Sequence, residues 1–541
     1  MRPSKIIPFK DFYEQLHTAR HKELQENAYF AVRSPEHFEE MRHHLLEYYQ
    51  RVEVVHSFMD HTGQVWDCIP VDKQPAARDG LPIAKPRVIP GRHPKSSSNR
   101  LHQSIFARGD KDDEGNERSC PQGCIPLRRL SLTELTQYQT LQDFFKKTPD
   151  RKISTPVADQ AAAPDKFTHL HAHGYQWINN LGGRSTINIW DPVVNGQDEV
   201  FSLSQHWYVA GQGGQLQTVE AGWQVWAANY GAAEPCLFTF WTADNYGSTG
   251  AYNGTDGKFK QQSNLWAPGQ PLPVSADGGT QAEIDVCWFL QDGNWCLYIN
   301  GIDAVNQVGY YPATVYNGGP MATGAEIIDY GGEVCALQEM PPMGSGALPA
   351  AGYQHAAYQR NIYCFTADGS NPDATLEPDE EAPGCFQISI QNNAGWGEFF
   401  YFGGPGGGNC QQAPPASFAD RVHFAFRNSK NKTLIQKYHY FKKMISIYAS
   451  MEDNTKSISD RVKIAILFEN GDSDPDPTTL ADTTTQMSVY NFDAGDYGNI
   501  TDYFNHIIVA VKPGAKTLNT LTVQAYTTVQ DCIDGVNAAV K

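Results

Sequence analysis

The sequence predicts an all-β core, an antiparallel sandwich of two packed sheets, flanked by an α+β N-terminal segment and a β-rich C-terminal domain. Three observations carry this expectation. From about residue 167 to 412 the chain runs in short alternating stretches separated by Gly, Asn and Asp, the pattern of half-buried strands joined by turns. Aromatic residues make up 12% of the chain, which also holds 47 Gly and 33 Pro, a composition that favours short strands and turns over long helices. Helical 3–4 spacing is found instead near the N-terminus.

At 541 residues the chain is too long for one ordinary domain. Residues 36–58, EHFEEMRHHLLEYYQRVEVVHSF, place Phe38, Met41, Leu45 and Tyr48 at helical spacing. A polar, Pro- and Ser-rich stretch follows. Cys120–Lys147 forms another short unit, and its second half reads as a helix because Ser131 and Glu134 stand at capping-box spacing. Residues 148–166 contain Pro149, Pro156 and Pro164, have no periodicity and read as an exposed linker. The domains expected are therefore 1–147, a linker at 148–166, the sandwich at 167–415, and a separate β-rich domain at 416–541. In the last of these Lys becomes common, Trp disappears, and VKIAILFE and HIIVAVK look like strands.

A formal charge of −18 argues against nucleic acid and against an anionic membrane surface, both of which need clustered Lys and Arg. No stretch approaches the roughly 20 apolar residues of a membrane helix. The N-terminal MRPSKIIPFKDFYEQLHTAR lacks an apolar core region and a small-residue cleavage site, so no secretory signal is read from it. Eleven Cys is an odd number, so at least one is free or paired between chains.

Candidate chemistry sits mainly on two strands. In HLHAH, His169, His171 and His173 share one strand face, but no HExxH or paired CxxC accompanies them. A solvated face is expected, with no metal and no cofactor. In CPQGC, Cys120 and Cys124 read as a local disulfide or a thiol pair of structural role. Aromatic-rich segments such as FTFWTADNYGSTGAYN and VCWFLQDGNWCLYING are equally consistent with a binding groove and with sandwich core. SLSQHWYVA, GQGG and QLQTVEAGWQV make a hairpin about a Gly-rich loop. Its second strand puts Val219, Ala221, Trp223 and Val225 on an apolar face and Glu220 on the other. Pairing symmetric about the Gln212–Gly213 bond sets Gln205 directly opposite Glu220. Glu333 follows a Gly-Gly pair in IIDYGGEVCAL, which permits close approach of backbone or ligand. From the residues alone, both glutamates are ordinary solvent-side strand residues, and the Gln205–Glu220 pair an ordinary surface pair.

Longer motifs add to this reading. TINIWDPVV, FSLSQHWYVAG, LQTVEAGWQVWAANYG, LFTFWTADNYGSTGAYN, DGNWCLYING, GYYP, YGGEV, MGSG and NAGWGEFFYFGGPGGGNC, in this order over roughly residues 165–412, resemble the catalytic domain of neprosin, a glutamic, proline-specific endopeptidase family. VWDCIPVDKQPA (65–76) and CPQGCIPLRR (120–129) resemble that family's activation peptide. Nothing is recognised in 416–541. The resemblance implies a cleft on the concave outer face of one sheet and two catalytic glutamates, matched here by Glu220 in EAGW and Glu333 in GGEV. Gln205 is a candidate third participant, and Tyr252 a candidate oxyanion donor. Trp223 and Trp241 are candidate substrate-binding aromatics. Cys385 and Cys410 match a family disulfide, whereas a second family pair is replaced by Ala251 and Asp256.

The function so implied is hydrolysis of peptide bonds after proline at acidic pH, with water activated by a Glu dyad. The substrate is a proline-containing peptide or protein, and residues 1–147 act as an intramolecular inhibitor released by cleavage in the linker. Secretion is implied by the family although no signal is recognised. The competing expectations are a carbohydrate-binding or glycoside-hydrolysing sandwich, which also uses aromatics and paired carboxylates, and an inactive family member serving as a binding module.

Overall fold

The computed structural model describes residues 5–148 apart from 28, 90–103 and 107–108, residues 167–410 apart from 197–198 and 409, and four short strands beyond them. By its contacts the chain divides into two units, Met1–Ala413 and Pro414–Lys541.

The first unit begins with helices α1 (Phe9–Thr18), α2 (His21–Leu24) and α3 (Pro35–Tyr49). Ser34 caps α3 by accepting from the backbone N–H of His37, and Pro35 occupies the first turn, where its missing N–H costs nothing. The helix stops at Tyr49, short of the expected 58, and His56–Met59 is strand β1. The β-branched run Val52, Val54, Val55 explains the change, because such side chains lose rotamer freedom in a helix and pack well on a pleated surface. β1 pairs with β2 (Val65–Pro70), and β2 with β3 (Cys124–Arg128), in a three-stranded antiparallel sheet. Between β2 and β3 the buried Arg129 makes a two-pronged ion pair with buried Asp67, its Nε donating to Oδ2 at 2.8 Å and its Nη2 to Oδ1 at 2.5 Å. Cys120 pairs with Cys68, 52 residues away, and Cys124 is a free, buried thiol. The local Cys120–Cys124 pair is thereby corrected. Cys124 opens β3 opposite Pro70, whereas Cys120 lies before the turn with its Cα 5.3 Å from that of Cys68.

Two short helices, α4 (Leu132–Leu135) and α5 (Leu141–Phe145), replace the single helix expected before Lys147. The Ser131–Glu134 capping box is present at the start of α4.

The remaining strands of the unit form the sandwich: β4 (Thr168–Asn180), β5 (Gly182–Asn188), β6 (Glu199–Ala210), β7 (Gln217–Val225), β8 (Cys236–Thr242), β9 (Lys260–Gln261), β10 (Glu283–Gln291), β11 (Asn294–Ile299), β12 (Gln307–Pro312), β13 (Ala325–Ala336), β14 (Ala357–Cys364), β15 (Glu377–Glu380), β16 (Gln387–Asn393) and β17 (Gly397–Gly403). A six-stranded sheet has the order β15-β4-β13-β6-β7-β8, and an eight-stranded sheet the order β16-β17-β14-β5-β10-β11-β12-β9. Neighbouring strands in both are antiparallel. Cys385 and Cys410 are disulfide-bonded, as expected.

Alternation decides which residues fill the space between the sheets. Leu170 and Ala172 of β4, Val219, Ala221, Trp223 and Val225 of β7, and Ile328, Tyr330 and Val334 of β13 join Ile284, Trp288 and Leu297 of the other sheet in one apolar core. The opposite face of the six-stranded sheet is also covered. There Phe201, Leu203, Phe238, Phe240 and Tyr252 pack with Phe38, Met41, Leu45, Tyr49, Leu135 and Phe144 of the N-terminal segment. That segment therefore seats on the sheet face carrying the candidate carboxylates.

In the second unit Ile464–Ala465 pairs in parallel with Ile507–Ile508, and Leu467–Glu469 pairs antiparallel with Met487–Val489. Ile464–Ala465, Leu467–Glu469 and Ile507–Ile508 lie in the two runs read as β from sequence, and Met487–Val489 lies outside them. The rest of that domain, and the linker beyond Thr148 with its three prolines, lie outside the described residues.

Candidate active site

Glu220 is in the middle of β7 and Glu333 in β13, with β6 between these two strands. Period-two alternation sends both carboxylates to the face turned away from the core. Small residues beside them let the strands approach. A Cβ on Gly222 would meet the Ser204 carbonyl oxygen at 1.9 Å, and one on Gly331 would meet Ala172 O at 2.5 Å. The close approach expected at the Gly-Gly pair is thus made by neighbouring strands.

Both carboxylates are buried, and one side chain from the N-terminal segment joins them. The Lys147 ammonium lies 2.9 Å from Glu220 Oε2 and 2.9 Å from Glu333 Oε2. Lys147 stands two residues past α5, and its carbonyl accepts from the Tyr252 hydroxyl at 3.2 Å. Its ammonium also lies over the Tyr246 ring, 5.1 Å from the centroid. Burial alone would lower its pKa, but the two carboxylates hold it well above the ordinary lysine value.

The two carboxylates have different surroundings. Glu220 Oε1 accepts from the hydroxyls of Thr218 at 2.9 Å and Tyr246 at 2.8 Å. Glu333 Oε2 also accepts from Gln205 Nε2 at 3.0 Å. Its Oε1 lies 2.5 Å from His169 Nδ1 and 3.5 Å from His171 Nε2. Burial would raise the Glu333 pKa, yet Lys147, His171 and His169 pull it well below the usual carboxylate range. Burial would likewise depress His171, but Glu381 and Glu333 push it up to about 10. His169 is pushed up to about 9 against the same burial, by Cys335 and Glu333.

Several expectations change here. Gln205 does not stand across from Glu220. In the observed register Gln205 faces Gly222 and Trp207 faces Glu220, so pairing is centred between Gly213 and Gly214. The cause is the 3-10 turn at Gly213–Gln215, where Leu216 N–H bonds back to the Gly213 carbonyl and lengthens the loop. A two-residue change of register keeps every side chain on its face, so Gln205 still reaches the site, on the side of Glu333. Trp223 and Trp241 do not line the cleft. Both are in the core between the sheets, where Trp223 Nε1 donates to Asn188 O and Trp241 Nε1 to Asp256. Alternation forces this: Trp223 is an odd number of residues from Glu220, and Trp241 pairs with the core residue Val219. Tyr252 packs on the sheet face that carries the two glutamates. The HLHAH face is not solvated, because His169 and His171 adjoin Glu333 and His173 Nδ1 lies 2.6 Å from Asp329 Oδ1. Sequence reasoning missed Lys147, Thr218 and Tyr246 as neighbours of the two glutamates. The shared strand face of the histidines was the available signal for His169 and His171. Among the described residues no group of His, Cys, Asp and Glu is arranged to hold a metal ion.

Residues 198–405, which include Glu220, Glu333 and Gln205, match the family model of Neprosin. Lys147, His169 and His171 lie outside the matched stretch and complete the site around it. The chain also matches crystal structures of scytalido-glutamic peptidase, one with a transition state analog inhibitor and one with a peptide based transition state analog. Each match is 8% identical, covers 44% of this chain and 98% of that chain, and has a TM-score of 0.24.

Proposed function

We propose that this protein is a glutamic endopeptidase made as a zymogen, in which Glu220 and Glu333 activate water for attack on a peptide bond after proline. The observation that carries the reading is the shared cation: two buried carboxylates on one sheet face each lie 2.9 Å from the same Lys147 nitrogen. Two carboxylates so close resist ionising together unless a cation sits between them, and titrate as a coupled pair when it leaves. The place of the ammonium then suits a water molecule or a scissile carbonyl oxygen. The ionised member takes a proton from water, and the oxygen attacks the carbonyl carbon. The protonated member delivers its proton to the carbonyl oxygen, and the amine leaves with a proton. Hydroxyls of Tyr246 and Thr218 and the amide of Gln205 donate to the two carboxylates, and the Tyr252 hydroxyl, which donates to the Lys147 carbonyl, is the candidate oxyanion donor.

In the intact chain residues 1–147 are the inhibitor, because Lys147 occupies the reacting position and the segment behind it covers the sheet face. The linker prolines Pro149, Pro156 and Pro164 are then sites for release by the enzyme itself. A dyad that must share one proton works at acidic pH.

The test is a peptide library digested at acidic pH with wild type, Glu220→Gln and Glu333→Gln. Cuts after proline in the wild type that vanish in both variants support the proposal. Unchanged cutting in either variant sinks the dyad, and cleavage of glycans without cleavage of peptides sinks the peptidase reading.

A further inference from the structure

Once Lys147 is withdrawn, the environments of the two glutamates are unequal, and the inequality assigns their roles, given the peptidase reading above. We infer that Glu333 is the carboxylate that takes the proton from water, that Glu220 delivers the proton, and that His169 and His171 are positioning residues that impose this division.

The sheet register builds the arrangement. β4 runs beside β13 with His171 directly across from Glu333 and His169 across from Cys335. Cross-strand neighbours are close enough for direct contact. The His171 ring is fixed from behind. Glu381, just past β15, accepts from the His171 backbone N–H at 2.9 Å and lies 2.8 Å from its Nδ1. This turns Nε2 toward Glu333, at 3.5 Å. The result is a carboxylate–imidazole–carboxylate chain, which favours the cationic imidazole between two acids. His169 reaches the same Oε1 of Glu333 at 2.5 Å, while its Nε2 lies against Thr148 Oγ1 at 2.5 Å and Cys335 Sγ at 3.6 Å.

The groups facing Glu333 are therefore Lys147 from the N-terminal strap, His169 and His171 from β4, Gln205 from β6, and Glu220 and Tyr252 across the cleft. The strap carries its lysine away, and the two imidazoles remain. Glu220 keeps the hydroxyls of Thr218 and Tyr246 and no cation among its described contacts. A shared proton accordingly resides on Glu220, and the negative charge on Glu333.

The cycle then balances. Water gives a proton to Glu333 as its oxygen bonds to the carbonyl carbon, and Glu220 gives its proton to the carbonyl oxygen. On collapse the C–N bond breaks, the nitrogen takes the proton held by Glu333, and a hydroxyl of the diol returns one to Glu220. Both carboxyl groups end as they began.

The test is the pH profile of kcat/KM on a proline-containing peptide, using processed full-length chain as wild type, His171→Gln, His169→Gln and Glu381→Gln. An imidazolium beside a carboxylate lowers its pKa by about 1–3 units. Losing one lets Glu333 protonate at higher pH, so the acidic limb of the profile moves up by about one pH unit or more while the alkaline limb stays. Glu381→Gln leaves the imidazole in place and weakens only its charge, so a smaller shift in the same direction is expected should a histidine variant fold poorly. Normalised profiles that superimpose on the wild type, even with lower activity at every pH, overturn the assignment and leave the dyad intact. A wild type that cleaves no peptide overturns the peptidase reading and this assignment with it.

Discussion

Lys147→Met removes the ammonium from between the two glutamates and keeps an apolar stem of similar length. The lysine side chain is 11% exposed and the two carboxylates 0% and 1%, so the variant leaves two buried acids without their cation. Breaking a buried ion pair from one side costs about 3–5 kcal/mol, because the remaining charge is stranded rather than because the pair itself was strong. That is a rise of about two to nearly four orders of magnitude in the undocked strap at neutral pH, at about 1.4 kcal/mol per tenfold. For cooperative unfolding of a unit of this size it is a fall in Tm of about 4–6 °C.

The pH dependence follows from the directions of the shifts. Glu333 is held well below its ordinary value of 4.5 in the folded chain. Its contribution is therefore complete above 4.5 and is lost as pH falls through the depressed folded value. Lys147 is held above its ordinary 10.5, so it stays charged through the neutral and acid range and sets no limit there. The Tm gap between wild type and Lys147→Met is expected to be full at pH 7 and to close in strong acid. Tryptophan-fluorescence melts on uncut chain, checked by gel, measure it. Equal melts at pH 7, or a gap of the same size in acid, refute the clamp. Under the proposed function the variant also shortens near residue 148 sooner than wild type.

Three further outcomes are expected. Gly222→Ala puts a Cβ 1.9 Å from the Ser204 carbonyl oxygen, a backbone clash that no rotamer relieves, and is expected to cost about 4 kcal/mol or more by denaturant titration. Arg129→Ala leaves Asp67 buried without its partner and is expected to loosen the N-terminal three-stranded sheet by about 3–5 kcal/mol, read as earlier hydrogen exchange in β2 and β3. Replacing Cys385 by Ser opens a 25-residue loop and replacing Cys68 a 52-residue loop. Each is expected to cost about 2–5 kcal/mol, read as a lower Tm under non-reducing conditions.

The sequence by itself determined much of the architecture and part of the site. Period-two alternation is a local property, so QTVEAGWQV already divided β7 into a core face with Trp223 and an outer face with Glu220. The same rule placed His169, His171 and His173 together, the capping box at Ser131 was readable from a short motif, and the Cys385–Cys410 pair was implied by the family resemblance. Even the misplaced hairpin centre kept Gln205 on the right face, because a slip of two residues leaves alternation unchanged.

Tertiary structure decided the rest. Which strands are neighbours is set by long-range pairing. Only the order β4-β13-β6-β7 brings His171, Glu333, Gln205 and Glu220 together on one sheet face, each of the last two offset by two residues from the pairing position of the one before. His169 and His171, which looked solvated, are a wall of the site because β13 and the segment after β15 flank them. The cysteine partner of Cys120 lies 52 residues away, beyond the reach of spacing rules. Lys147 is an unremarkable residue in FFKKT until α5 and the cleft face are packed together. A charge in a linker-adjacent segment has no preference of its own, and it is the two buried carboxylates, waiting on strands separated by more than a hundred residues, that give this one a place.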